Sequence, residues 1–252
     1  MSALSLTTLP QHMIPIEGGT FQMAKNYPVT LSDYYLCRYP VTQGLWREVM
    51  GTDPEELYFT GADRPVDRVN WYDAVTFCNR MNEAYGLETA YNIDPHTQDH
   101  YNKSSIDSLK WSVARIPGAK GYRLPTEAEW AYAARGGKYN QGFEYSGSAD
   151  LDEVGWYDKN SYGETQPTGL KAPNALGLCD LSGHVWEWCQ DWHDDYPSEP
   201  QSNPGGPADG AYRVYRGGGW YNVPAYARVS YRGYWRPILR RRRLGFRLAR
   251  SL

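Results

Sequence analysis

Apolar and polar residues alternate over short runs near the start of the chain, and glycine, asparagine or proline separates these runs. A period of two that is bounded by turn residues predicts short β-strands. We expect strands at residues 14–23 and 28–31, arranged around a glycine turn and a loop. A third strand is predicted at residues 35–38.

Two later segments carry apolar residues at helical spacing. Thr42 occupies an N-cap position ahead of the first segment, and Gly51 is expected to end that helix. The second helix is predicted to follow Asn70 and to end near Gly86. Both apolar faces are predicted to pack in the core, through Leu45, Trp46, Val49 and Met50 in the first helix and Ala74, Val75, Cys78 and Met81 in the second.

A third helix has the clearest start signal in the chain. Thr126 and Glu129 have the spacing of a capping box, in which each side chain accepts a hydrogen bond from the other residue's backbone. Gly136 is expected to end this short helix, because glycine adopts the left-handed conformation common after a helix. Trp130 is predicted to pack its apolar face.

In two stretches, residues 87–120 and 138–172, the apolar residues follow neither the spacing of a helix nor that of a strand. We interpret residues 87–120 as a polar insertion loop in which only Trp111 and Val113 are buried. The second stretch is expected to consist of turns.

Two histidines in the first of these stretches, His96 and His100, lie four residues apart, like a metal-binding pair on one face of a helix. Pro95 argues against a helix through this segment, since proline removes a backbone donor and clashes with the preceding turn. We therefore predict that both histidines are surface residues.

The composition indicates a loop-rich chain. Its 252 residues include 25 Gly, 17 Pro and 22 Tyr, and its mean hydropathy is negative, which predicts many turns and little regular structure. No linker-like segment divides the chain, so one domain over residues 1–252 is expected. No apolar run approaches the length of a membrane span, and the first residues lack the features of a signal peptide. We expect a soluble chain.

Charge is unevenly distributed along the sequence. Residues 213–252 hold eleven arginines with no lysine and no acidic residue, which leaves fifteen of the 26 basic residues and all 29 acidic residues in the rest of the chain. Tyrosine and tryptophan alternate with these arginines, and these three residue types dominate binding hot spots. The segment therefore predicts either a polyanion site or an arginine-rich recognition surface.

The cysteines and histidines, which are the soft metal-binding residues, are not spaced along the chain as they are in metal sites. The cysteines form no CxxC pair, which argues against a structural zinc site. We interpret them as small core residues, and a disulfide between Cys179 and Cys189 would require an oxidising compartment. The neighbouring histidines, His184 and His193, alternate with tryptophans and are likewise interpreted as packing residues.

A glycine-containing turn after residue 179 carries two hard oxygen donors, Asp180 and Glu187. The backbone carbonyls of Gly183 and Val185 add two more oxygens, and calcium accepts irregular cages made only of oxygen. The turn therefore predicts a structural calcium site. The alternative is that Glu187 is a buried carboxylate paired with one of the C-terminal arginines.

Motifs along nearly the whole chain resemble the formylglycine-generating-enzyme (sulfatase-modifying factor) family. In chain order they are residues 18–23 (GGTFQM), 40–42 (PVT), 64–66 (RPV), 69–74 (VNWYDA), 122–130 (YRLPTEAEW), 177–188 (GLCDLSGHVWEW), 216–220 (RGGGW) and 244–247 (LGFR). This resemblance implies an α+β fold of the C-type-lectin-like kind, low in regular secondary structure. It also implies calcium near Asp180 to Glu187 in many members.

Function does not follow from the fold alone, because one fold hosts many sites. The resemblance implies that active enzymes of this family bind copper through two cysteines placed shortly after an Arg-Gly-Gly-Ser motif. Asn222 and Ala227 align with those cysteines. An amide or a methyl group replaces neither the nucleophilicity nor the copper affinity of a thiolate. We therefore expect no oxidase activity and no bound copper.

The C-terminal pattern also resembles the variable proteins of diversity-generating retroelements, especially spirochaete surface lipoproteins. That resemblance implies a variable region over about residues 213–248, in which Asn codons of a template have mutated at adenines. Residues that pack in the interior would hold this region while the variable side chains face solvent. We call them the frame residues, and they are Trp220, Arg232, Pro237, Phe246 and Arg247.

The predicted ligand-binding residues, called the candidate binding residues below, combine former Asn positions with neighbouring aromatics. They are Tyr215, Tyr221, Asn222, Val223, Tyr226, Tyr231, Gly233, Tyr234, Trp235, Ile238, Leu239, Arg241, Arg242 and Arg243.

Three functions follow from these observations. The first is a non-enzymatic protein that binds an unknown protein or surface ligand through its diversified C-terminal surface, with no transmembrane segment. The second is a family enzyme with lost or altered catalytic cysteines. The third, a nucleic-acid binder, is disfavoured because arginines 240–243 lie among bulky apolar residues instead of along a basic groove. The resemblance favours the cell surface, with a lipid anchor absent from this chain, over the cytoplasm.

Overall fold

The computed structural model describes residues 4–252. Its helices are α1 Leu9–His12, α2 Gln43–Met50, α3 Trp71–Ala84, α4 Glu127–Ala134 and α5 Leu151–Val154. Its strands are β1 Met13–Ile16, β2 Gly19–Ala24, β3 Tyr27–Leu31, β4 Tyr34–Cys37, β5 Tyr91–Gln98, β6 Trp111–Arg115, β7 Tyr122–Arg123, β8 Trp186–Trp192, β9 Gln201–Ser202, β10 Arg213–Arg216, β11 Gly233–Trp235, β12 Leu244–Gly245 and β13 Ala249–Ser251.

One antiparallel sheet brings the two ends of the described chain together. Its strand order is β1-β4-β13-β7, and β13, near the C-terminus, lies between β4 and β7. Ala249 pairs with Leu36 on one side and with Arg123 on the other. The residues that follow the predicted variable region are therefore hydrogen-bonded into the body of the fold.

A second sheet, in the order β11-β10-β8-β12, carries the predicted variable region. Strand β10 is antiparallel to both β8 and β11, whereas β12 is parallel to β8, with Leu244 opposite Trp186. This arrangement places the tryptophan-rich strand β8 between two segments from the end of the chain. The smaller sheets are β2-β3-β9 and the hairpin β5-β6.

The three predicted helices are confirmed, together with their caps. Thr42 accepts a hydrogen bond from the backbone of Leu45, and Gly51 ends α2 with a φ of 78°. Asn70 and Thr126 each take part in a capping box, with Asp73 and Glu129 respectively. These caps satisfy backbone donors that a helix start would otherwise leave without a partner.

Helices α2, α3 and α4, together with strand β8, supply much of the aromatic core, and the predicted residues Trp46 and Trp130 belong to it. The rings of Trp46 and Phe77 stack with their centroids 5.4 Å apart, and Phe77 meets the frame residue Phe246 edge-on at 5.3 Å. Trp130 in α4 and Trp188 in β8 are fully buried. Large apolar surfaces removed from water are the main stabilising term of such a core.

Residues 87–120 are the main error of the sequence prediction. They form the hairpin β5-β6 instead of an irregular loop, and Tyr91 is buried while Trp111 and Val113 are only half-buried. The alternation of apolar and polar residues that would have predicted these strands is weak, because much of the hairpin is exposed and its register shifts between Asp94 and Gln98. The surface prediction for His96 and His100 is confirmed, since both are exposed.

The predicted first strand is split into β1 and β2 by residues 17–18, whereas β3 and β4 lie where they were predicted. The cysteines of the described chain are unpaired and buried, as expected of core residues. Burial raises the pKa of Cys37 and of Cys179 to about 11. No helix among residues 4–252 is long and apolar enough to cross a bilayer.

An ion pair between Glu187 and Arg247 is buried in the protein. Both side chains are fully buried, and Arg247 Nε and Nη2 donate to the two Glu187 oxygens at 2.6 and 2.7 Å. Burial would lower the pKa of Arg247, but the Glu187 carboxylate outweighs it and raises that pKa overall. The alternative predicted from the sequence, a pair between Glu187 and a C-terminal arginine, is confirmed.

We expect Glu187→Gln and Arg247→Met each to lower the free energy of unfolding by about 3 to 5 kcal/mol, because each leaves one buried charge without its partner. Urea denaturation measures the loss. The matched control is Asp53→Asn, since the Arg47–Asp53 pair is exposed and such pairs contribute less than about 1 kcal/mol. Equal losses in Glu187→Gln and Asp53→Asn would contradict a structural role for the buried pair.

Candidate ligand-binding site

A pocket of about 600 Å³ lies where the predicted variable region folds over strand β8. It has the volume of a typical small-ligand site. The side chains that line it come from four separate stretches of sequence: Tyr58, Arg68, Trp186, Tyr215, Trp235, Arg240, Arg241, Arg242, Arg243 and Leu244. Arg68 and Arg240 to Arg243 form one wall of this pocket, called the arginine wall below. Tyr58, Trp186, Tyr215 and Trp235 form the other, called the aromatic wall.

Trp186 is the centre of the aromatic wall. Its ring lies 4.7 Å from that of Tyr215 and 5.7 Å from that of Tyr231, measured between centroids. Tyr226 extends the group, at 4.8 Å from Tyr231. The indole Nε1 of Trp186 donates to Asn222 Oδ1 at 2.8 Å. These contacts fix the orientation of a large ring beside solvent.

The arginines at residues 241–243 contact aromatic rings, whereas Arg68 and Arg240 pair with Glu56 and Asp73. Arg242 lies 5.4 to 5.6 Å from the ring centroids of Tyr58, Trp220 and Tyr221. Arg241 lies 5.3 Å from the ring centroid of Trp235. Such cation–π contacts attract a guanidinium group to a ring without using an acidic partner.

The backbone of residues 241–243 is held by groups outside the candidate binding residues. The carbonyl of Arg241 accepts from the backbone of Arg68 at 2.9 Å, and that of Arg242 accepts from Trp220 Nε1 at 3.1 Å. The carbonyl of Arg243 accepts from the backbone of Trp186 at 2.7 Å. Because a backbone donor or a frame side chain makes each bond, the path of the chain does not depend on the arginine side chains.

A second anchor, the buried Arg216, holds residues 229–231. Its guanidinium group donates to the carbonyls of Val229, Ser230 and Tyr231 and lies 3.7 Å from Glu127. The two glycines that follow, 217 and 218, have φ values of 101° and 80°, a region that glycine adopts at little cost. The chain thereby turns directly after β10.

Most candidate binding residues reach the surface. Those that are exposed are Tyr221, Val223, Tyr226, Tyr234, Arg241 and Arg242. Those that are half-buried are Tyr215, Asn222, Tyr231, Trp235, Ile238, Leu239 and Arg243. Of the fourteen, Tyr215, Trp235 and residues 241–243 line the pocket, and Tyr221, Asn222, Tyr226 and Tyr231 contact its walls.

Two candidate binding residues lie elsewhere than predicted. Gly233 is buried, because the ring of Tyr215 covers it and a Cβ at this position would come within 2.1 Å of that ring. Tyr234 packs against His193, with the tilted rings 3.9 Å apart between centroids, on the opposite face of β11 from the neighbouring Trp235. The prediction of a single exposed patch is therefore wrong for Gly233, and Tyr234 is exposed outside the pocket.

Several pocket residues escaped the sequence analysis. Trp186 lies in the motif of residues 177–188 but was not among the candidate binding residues, Tyr58 lies outside the family motifs, and Arg68 lies between two of them. Arg240 belongs to the arginine run but was not among the candidate binding residues. Its position beside Asp73, with which it forms an ion pair, depends on tertiary contacts that the sequence does not display.

The frame residues of the variable region pack as predicted, with one difference in degree. Trp220, Pro237, Phe246 and Arg247 are buried. Arg232 is half-buried, and its Nε donates to both carboxylate oxygens of Glu127 at 2.9 and 3.0 Å.

The four residues of the predicted calcium site do not provide a fitting cage. Both Glu187 oxygens accept from Arg247, and Oε2 also accepts from Trp130 Nε1 at 2.6 Å. Asp180 accepts from the backbone of Gly169, and its Oδ1 lies 3.3 Å from the buried His184. Among residues 4–252, no group of three His, Cys, Asp or Glu side chains is placed to hold a metal ion. Calcium at Asp180, Gly183, Val185 and Glu187, predicted from the sequence, stays untested, and the partners of Glu187 favour the alternative, its pairing with Arg247.

Of the two positions aligned with the family's cysteines, residue 222 contacts the aromatic wall and residue 227 belongs to a separate apolar cluster. Asn222 accepts from Trp186, and Ala227 is buried beside Tyr145 and Leu151. The cysteines at positions 37, 78, 179 and 189 lie in other parts of the chain, and burial raises the pKa of each. A thiol with a raised pKa is a poor nucleophile at neutral pH.

The sequence matches the sulfatase-modifying factor enzyme 1-like domain over residues 4–252, so the chain belongs to that family. The structure is similar to that of Treponema denticola variable protein 1, with a TM-score of 0.85 at 34% identity and 95% of each chain covered. The predicted α+β fold and the predicted resemblance to this kind of variable protein are thereby confirmed.

Several curated relatives cover most of the chain. Chaperone protein LppX of Paenibacillus barcinonensis is 41% identical over 248 residues, which span 90% of this chain and 85% of LppX. The formylglycine-generating enzyme of Thermomonospora curvata is 35% identical over 297 aligned positions, which span 94% of this chain and 92% of the enzyme. The family thus includes proteins described as enzymes and a protein described as a chaperone.

We expect alanine substitutions of frame residues and of candidate binding residues to differ in the stability that each one costs, as measured by thermal denaturation. Trp220→Ala and Phe246→Ala should each cost about 3 to 5 kcal/mol, because each removes a buried aromatic ring. Tyr234→Ala and Arg242→Ala should stay within about 1 kcal/mol of the unmodified protein, since both side chains are exposed. Losses of equal size in both pairs would mean that the binding residues belong to the core.

A melting experiment in EDTA tests the calcium prediction. Because Arg247 and Trp130 occupy the Glu187 carboxylate, we expect neither EDTA nor added calcium to change the melting temperature. Calcium that bound only the folded state would stabilise it by about 2.7 kcal/mol at a hundredfold excess over the dissociation constant. A rise of the melting temperature with calcium concentration would therefore support a site that uses other donors.

Proposed function

We propose that this chain is a non-enzymatic ligand- or receptor-binding protein whose C-terminal surface has been diversified by a retroelement. The observation that carries the proposal is the way in which the binding segment is built. Groups outside the candidate binding residues hold the backbone of residues 241–243, while the side chains of those residues line an open pocket. Such a segment tolerates different side chains without losing its conformation.

The comparisons support a binding role over a catalytic one. The similarity to Treponema denticola variable protein 1 extends over 95% of both chains. The relative LppX is described as a chaperone protein, and chaperones act by binding other proteins. The alternative is a formylglycine-generating-type oxidase with altered cysteines, in line with the 35% identity to the Thermomonospora enzyme. Asn222 and Ala227 argue against that alternative.

The retroelement origin has its own test in the neighbouring DNA. A template repeat should be nearly identical to the coding sequence for residues 213–248 and should lie near a reverse-transcriptase gene. Its differences should fall at adenines in codons for binding residues such as Tyr221, Tyr226 and Arg242, and codons for Trp220 and Phe246 should be unchanged. Differences spread evenly over both sets would rule out this origin.

We expect the purified protein to lack oxidase activity toward sulfatase-type cysteine peptides and to bind no stoichiometric copper. An amide at residue 222 and a methyl group at residue 227 offer no thiolate for either purpose. Mass spectrometry of the peptide and elemental analysis of the protein measure the two outcomes. Peptide turnover above a no-protein control would reject the proposed class, and a variant with Asn222→Cys and Ala227→Cys tests whether the scaffold still accepts copper.

A further inference from the structure

The pocket described above has an unbalanced charge. Five arginines line it and no acidic residue does. Arg240 pairs with Asp73, and Arg68 pairs with Glu56. Among residues 4–252, no carboxylate forms an ion pair with Arg241, Arg242 or Arg243. Adjacent like charges repel each other, so these guanidinium groups favour an anion supplied from outside.

The rest of the pocket suits flat apolar groups. Tyr58, Trp186, Tyr215 and Trp235 supply ring faces or edges, and Trp186 and Tyr215 contact each other at 4.7 Å. Aromatic walls of this kind pack against the apolar part of a side chain while arginines bind its charged neighbours. The pocket therefore favours a ligand that presents carboxylates close to aromatic side chains.

We propose that this pocket binds an acidic segment of a protein ligand that also contains aromatic residues, an inference that rests on the binding function proposed above. Carboxylates of that segment pair with the guanidinium groups of residues 241–243, and its aromatic side chain lies against Trp186 and Trp235. A long polyanion such as nucleic acid fits less well. The arginines form a compact group with Glu56 and Asp73 beside them, and the whole chain has a net charge of −3.

Isothermal titration calorimetry with matched peptides tests this inference. The probes are an N-acetylated, C-amidated peptide of sequence EWEYE, its neutral counterpart QWQYQ and a single-stranded thymidine 15-mer, each at 50 and 300 mM NaCl. We expect EWEYE to bind at least tenfold more tightly than QWQYQ and to weaken at the higher salt concentration. The variant with Arg241→Gln and Arg243→Gln should bind both peptides equally.

Two controls separate the pocket from the general charge and from the fold. Arg228→Gln removes an exposed arginine that pairs with Glu144 outside the pocket, and it should leave the preference for EWEYE unchanged. The melting temperature of the double Gln variant should stay close to that of the unmodified protein, because backbone carbonyls of residues 241–243 hold the chain and the side chains of Arg241 and Arg243 add only cation–π contacts.

Equal affinity for the two peptides would overturn the acidic preference and leave the proposed binding surface intact. Failure of both peptides to bind would also overturn this inference, and the DNA repeat would still decide the diversified origin. Tighter binding of the thymidine 15-mer than of EWEYE, lost in the double Gln variant, would replace the acidic protein segment with a polyanion.

Discussion

The buried ion pair between Arg247 and Glu187 is the interaction on which the rest of the structure depends. Arg247 also donates to the carbonyls of Cys37, Arg38 and Cys179, at 2.9 to 3.2 Å. One guanidinium group thus joins β4, the turn before β8 and β8 itself, while Trp130 of α4 donates to the same carboxylate. A chain with many turns has few long ladders of backbone hydrogen bonds, so such a central group replaces them in positioning the strands.

The pair also explains why the end of the chain can carry a variable surface. Strand β12 and Phe246 lead directly into Arg247, so residues 241–243 are tethered a few positions from the most constrained point of the fold. Arg216 constrains the other end of the same region through the carbonyls of residues 229–231. Between these two buried arginines, exposed side chains contribute little to stability and remain available for recognition.

Much of the fold could be predicted because its signals are local. The caps at Thr42, Asn70 and Thr126 need only neighbouring residues, and the motifs around them identify the family. The pocket was only half predictable, since Tyr58 and Trp186 meet the arginines through contacts distant in sequence. Residue type alone also does not reveal whether a carboxylate binds a metal or an arginine, as Glu187 illustrates.

Gly233 limits how the binding surface can change. The ring of Tyr215 occupies the space that any side chain at residue 233 would need, with 2.1 Å between that ring and a Cβ built there. A larger residue at 233 therefore requires a smaller or displaced one at 215. The number of side-chain combinations that this surface can carry is then smaller than the product of the numbers of residue types allowed at each position alone. Residues 215 and 233 should therefore covary in size among related sequences.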